Sequence, residues 1–87
     1  MKIYKYKNNK CNISGDAIRS LREKAGLSQE QLAANMQLKG INLNQKAISR
    51  IETGERVVPD YELLYFSEIF EVPVTALISS GKAPTDR

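Results

Sequence analysis

Four polar residues at one spacing stand out in this 87-residue chain: Gln45, Lys46, Ser49 and Arg50, at i, i+1, i+4 and i+5. On a helix that turns about 100° per residue they share one side. They present an amide, a hydroxyl, an ammonium and a guanidinium, a donor-rich set suited to the edges of stacked bases in a DNA major groove. The Gln45 amide can bond adenine in bidentate fashion, and Arg50 or Lys46 can bond guanine O6 and N7. An ordinary solvated helix carries the same residue types, so the flanking segments must decide between the readings.

The other side of this segment is apolar. Ala47, Ile48 and Ile51 face away from the polar set and can pack on a small core. Asn44 is a helix cap and Gly54 a stop. Upstream, Ser28-Gln29-Glu30-Gln31 opens a helix with Ser28 as N-cap and Gln31 closing a capping box. Leu32, Ala33 and Met36 form the stripe of this helix, which ends before Gly40. A first helix runs from about Ser14 or Asp16, both suitable caps, to Ala25, with Ile18, Leu21 and Ala25 as its stripe. Arg22 falls within about 40° of Ile18, inside that stripe, and a charge on a packed face needs a partner.

Between the second and third helices, Leu38-Lys39-Gly40-Ile41-Asn42-Leu43 reads as an ordered turn with Leu38, Ile41 and Leu43 tucked into the core. Val57-Val58-Pro59 is an extended linker. Asp60 caps a fourth helix that continues to about Phe70. Leu63, Phe66 and Phe70 lie on one face of it, widened by Leu64, Tyr65 and Ile69. Val72-Pro73 breaks this helix, and Val74 to about Ile78 makes a short fifth. The division is a basic N-terminal arm at 1–13, one helical domain at 14–78 and a polar tail at 79–87. The arm reads as a frayed tail, a short strand-like segment or a DNA-contacting arm.

Composition narrows the function classes. There is no histidine and only one cysteine, Cys11. An internal disulfide is excluded, and a cytoplasmic setting is the expectation. Zinc sites need several Cys or His ligands, so no metal or other cofactor is expected. Without histidine, paired carboxylates or a glycine-rich phosphate loop, an enzyme is not expected either. The apolar runs are too short for a membrane span, and no small-molecule substrate is evident. Residues 1–50 hold ten Lys/Arg and three Asp/Glu, a net of +7, whereas residues 51–87 carry a net of −4. The modest total of +3 therefore conceals a strongly basic front half, which suits a polyanion.

Four segments occur in one order: Ile18-Arg19-Ser20-Leu21-Arg22, Gly26 to Ala33, Ile48 to Gly54, and Val72 to Leu77. Together they resemble the phage-repressor and Cro-like helix-turn-helix family, the XRE family, over roughly residues 15–78. The resemblance implies an all-α, five-helix, lambda-repressor-like domain whose third helix enters the major groove while the second crosses the backbone. By position, Gln45, Lys46, Ser49 and Arg50 match the family's base readers. Ser28 and Gln29 match the helix start that grips a phosphate, and Gly54 with Arg56 matches the phosphate clamp after the recognition helix. Arg22 and Glu52 match a structural ion pair. The connection from Met36 to Asn44 is longer than the usual tight turn, as in a subset of the family, and makes Lys39 a candidate backbone contact. Pro73 stands where relatives cap the fifth helix with Ser, which predicts a short fifth helix.

The leading expectation is a sequence-specific transcription regulator, a repressor, that binds double-stranded DNA as a homodimer. Tyr65, Ile69, Leu77 and Ile78 form the candidate dimer patch. The alternative is an antitoxin or protein-interaction module that also binds its own promoter, with Asp60, Glu62, Glu68 and Glu71 as its partner surface.

Overall fold

The computed structural model describes residues 9–78, so most of the basic arm and the whole polar tail lie outside the described residues. Five α-helices follow one another: α1 Gly15–Lys24, α2 Gln29–Leu38, α3 Gln45–Thr53, α4 Asp60–Phe70 and α5 Thr75–Ile78. No strand occurs among the described residues.

The core is one cluster of Ile18, Leu32, Ala33, Met36, Leu43, Ile48, Ile51, Phe66 and Leu77. Every helix contributes to it through its apolar stripe. The α3 helix packs on both α1 and α2, α4 closes the opposite side against the same two helices, and α5 caps α1 and α4. The recognition candidate is thus seated by Ile48 and Ile51, both fully buried.

Local chemistry explains the two central helix starts. Ser28 Oγ accepts from the Gln31 amide while Gln31 Oε1 accepts from the Ser28 amide, a reciprocal capping box. Asn44 Oδ1 accepts from the Ala47 amide and starts α3. Gly54 ends α3 in the left-handed region at φ 85°, a conformation that costs a residue bearing a Cβ about 1–2 kcal/mol.

Four local expectations are corrected. Neither Ser14 nor Asp16 caps α1 through its side chain: Ser14 occupies the N-cap position without a side-chain bond, and Asn12 Oδ1 accepts from the Gly15 amide instead. Asp60 does not precede α4 but is its first residue, after Pro59 in the extended region. Its carboxylate still sits at the positive end of the helix dipole. Leu38 is 86% exposed, because it lies on the far side of α2 from buried Met36. The turn is held without it: the Ile41 amide donates to the Met36 carbonyl, and Gln37 Nε2 donates to the Leu43 carbonyl at 2.8 Å. Leu64, too, is half exposed rather than part of the packed face of α4.

Six residues connect α2 to α3. Within them Lys39 turns toward α4, pairing with Glu68 at 3.3 Å. The α5 helix spans four residues after Pro73.

Candidate nucleic-acid interface

The α3 helix exposes Gln45, Lys46 and Arg50, with Ser49 half-buried beside them. Lys46 and Arg50 have no ion-pair partner among the described residues, so both cations remain available to an external anion. Its amphipathic spacing puts these groups opposite Ile48 and Ile51.

Among the described residues, Gln45 is the one member of this face whose side chain is hydrogen-bonded to another element. Its Nε2 donates to Gln29 Oε1 at 2.6 Å, and Gln29 Nε2 donates to Glu52 Oε1 at 3.0 Å. Glu52 in turn meets Arg22 in a two-pronged ion pair. Arg22 Nε lies 2.6 Å from Oε2, and Nη2 lies 3.1 Å from Oε1. The third prong of the guanidinium, Nη1, donates to the Leu27 carbonyl at 2.8 Å. Side-chain exposure is 12% for Arg22 and 3% for Glu52. The hydrogen bonds that Arg22 donates to Glu52 hold the Arg22 pKa above its ordinary value against the opposing effect of burial. One continuous polar line therefore runs from the surface of α3, through the start of α2, to a cation on the buried stripe of α1.

Ser28 and Gln29 sit at the first turn of α2. The capping box takes up the Ser28 and Gln31 amides, leaving those of Gln29 and Glu30 as the first-turn donors outside it. A helix start with free amides favours an anion. The Gln29 side chain, in contrast, is already engaged between Gln45 and Glu52.

The corner after α3 is built differently from the phosphate clamp implied by resemblance. The Gly54 amide closes the helix end on Arg50 and Ile51 carbonyls. The Gly54 carbonyl accepts from the Cys11 amide at 2.7 Å. A Cβ at this position would lie 2.8 Å from Lys10 Cγ, so the lysine stem covers the glycine. Gly54 thus offers no free amide. Arg56 Nη1 and Nη2 engage Glu62 Oε1 and Oε2 at 2.7 and 3.1 Å. The Glu62 side chain is 4% exposed and that of Arg56 is 30%. This hydrogen bonding raises the Arg56 pKa over the lowering effect of burial. A phosphate at Arg56 would have to compete with a buried carboxylate.

Glu62 therefore leaves the acidic outer face to which the sequence assigned it. The signal was present, since Glu62 precedes buried Phe66 by one helical turn and so shares its stripe. It is the same misplaced charge that marks Arg22. Asn12 was also missed. Its Nδ2 donates to the Ile51 carbonyl at 3.0 Å and to the Arg56 carbonyl at 2.7 Å, while its Oδ1 caps α1. Nothing in the local sequence distinguishes it from Asn8 or Asn9.

The candidate residues thus fall into two groups. Gln45, Gln29, Glu52 and Arg22 form one connected line beside Lys46, Ser49 and Arg50. Gly54 and Arg56 form a separate corner with Lys10, Asn12 and Glu62. No metal-binding cluster of His, Cys, Asp and Glu occurs among the described residues, and no helix there is long and apolar enough to cross a membrane.

No curated protein and no solved structure matches the chain. A family model described as a helix-turn-helix domain matches residues 15–77, which takes in α1 to α4 and nearly all of α5. With two helices joined by a turn and a polar outer face on the second, the chain belongs to the helix-turn-helix domain family.

Proposed function

We propose that this protein is a sequence-specific DNA-binding transcription regulator of the XRE and Cro-like kind, acting as a repressor through α3 in the major groove. The observation that carries this reading is the outer face of α3: two cations without ion-pair partners among the described residues, and beside them an amide whose orientation is held from behind. Gln45, Lys46, Ser49 and Arg50 read bases, while the free amides at the start of α2 hold a phosphate. Behind this face, Arg22 and Glu52 form an ion pair that ties α1 to α3.

One domain of this size covers few base pairs, which favours a homodimer on a two-fold symmetric site. Of the candidate dimer patch, Leu77 is fully buried in the core and Ile78 is 41% exposed, so Tyr65, Ile69 and Ile78 remain for a partner copy. The protein works in the cytoplasm, on DNA, without a cofactor and without catalysis of its own.

Selection of bound duplexes from a random DNA pool, followed by footprinting, tests this reading. The expected product is a symmetric site with half-sites about 10 base pairs apart. Arg50→Ala relaxes preference at one position per half-site by about 1–3 kcal/mol. Binding with no sequence preference would overturn the proposal.

A second reading is an antitoxin or interaction module that also binds its own promoter. The outer side of α4 supports it. Tyr61 and Leu64 are 54% and 48% exposed, flanked by exposed Asp60, Glu68 and Glu71. Loss of a co-purifying protein in a Tyr61→Ser, Leu64→Ser variant that still binds DNA would favour this alternative.

A further inference from the structure

We propose that Glu52 is a specificity-determining positioning residue: acting through Gln29, it sets which end of the Gln45 amide faces a base. The inference rests on the reading of α3 as the recognition helix and names how one of its contacts is selected.

The argument follows hydrogen-bond direction along the line already described. Glu52 accepts from two guanidinium nitrogens of Arg22. A carboxylate in that position has acceptors only. Gln29 must therefore turn its Nε2 toward Glu52, as it does at 3.0 Å. Its Oε1 then points to Gln45 and can only accept, so Gln45 must approach with Nε2, as it does at 2.6 Å. One hydrogen of the Gln45 amide is used in this bond. The other hydrogen and the carbonyl Oε1 remain, a donor beside an acceptor. That pair complements adenine, whose N7 accepts and whose N6 donates.

The reverse sense would have a different product. If Gln29 presented Nε2 to Gln45, Gln45 would answer with Oε1 and keep two N–H donors. Donors alone complement guanine O6 and N7. The acceptor-only character of a side chain on the inner side of α3 thus selects between two purines at its outer side. An uncharged amide at position 52 offers both a donor and an acceptor and removes the selection.

The test uses the full-length chain and a random-sequence DNA duplex pool, with bound sequences counted for wild type and three variants. Gln45→Ala identifies the base position that Gln45 reads. At that position wild type is expected to prefer adenine over guanine by about tenfold or more. Glu52→Gln is expected to bring that ratio to within about twofold, while preferences at positions read by Arg50 persist. Gln29→Ala keeps the ion pair intact and is expected to collapse the same ratio, so the proposal stays testable if Glu52→Gln folds poorly. A merely structural Glu52 would weaken all sequences alike and leave the ratio unchanged, which would overturn the proposal. So would a wild-type preference for guanine at the Gln45 position. If Gln45→Ala changes no base preference while Arg50→Ala does, the inference falls and the recognition-helix reading stands; if neither variant changes any preference, both fall.

Discussion

Replacing Arg22 with methionine would strand the Glu52 carboxylate at a site 3% open to solvent. The expected cost is about 3–5 kcal/mol of stability, read by urea unfolding, because a buried carboxylate loses its ion-pair partner and keeps only the hydrogen bond from Gln29. Arg22→Met together with Glu52→Leu should recover most of that loss, since no buried charge is then left unpaired. The guanidinium has a raised pKa in the folded protein. Its contribution is fully present below the ordinary arginine range and is lost only at still more alkaline pH. The difference between wild type and Arg22→Met should therefore stay constant from about pH 7 to about pH 9. Arg56 belongs to a milder case. Its partner Glu62 is buried, yet its own side chain is 30% exposed. Arg56→Ala should cost about 2 kcal/mol and lower the unfolding midpoint more clearly than DNA affinity. Equal stability with weaker binding would mean that the arginine serves phosphate and not Glu62.

At the scale of elements, the position of α3 depends on how closely α1 approaches it. A Cβ on Gly15 would collide with the Ile51 carbonyl near the end of α3. Asn12 then bonds that carbonyl, the Arg56 carbonyl and the start of α1. Gly15→Ala is expected to separate the two helices, lowering both the thermal midpoint and sequence-specific affinity. Asn12→Ala should cost about 1–3 kcal/mol through one unmet carbonyl, at Arg56, and one unmet amide, at Gly15, measured by chemical denaturation. The helix starts at Ser28 and Asn44 and the stop at Gly54 were legible in the sequence, because capping is decided within three or four residues. The pairing of Glu62 with Arg56 and the role of Asn12 were not. Each depends on which other element lies across from it.

Across the whole molecule, the net charge is +7 on residues 1–50, which include most of α3, and −4 on residues 51–87. For a dimer placing on the order of three phosphates per protomer, the logarithm of affinity should fall against the logarithm of salt with a slope near −5. Titration of the selected duplex at several salt concentrations measures it, and a slope near zero would contradict a phosphate-dominated encounter. The sequence by itself determined the five-helix order, the apolar stripes and the polar outer face of α3, since helical periodicity and capping are written into neighbouring residues. Only the tertiary structure decided that Gln45, Gln29, Glu52 and Arg22 form one line, and that Arg56 turns to Glu62. Those partners stand 16, 23, 30 and 6 residues apart in the chain. Hydrogen bonds over such separations follow from the packing of helices, which no local pattern encodes.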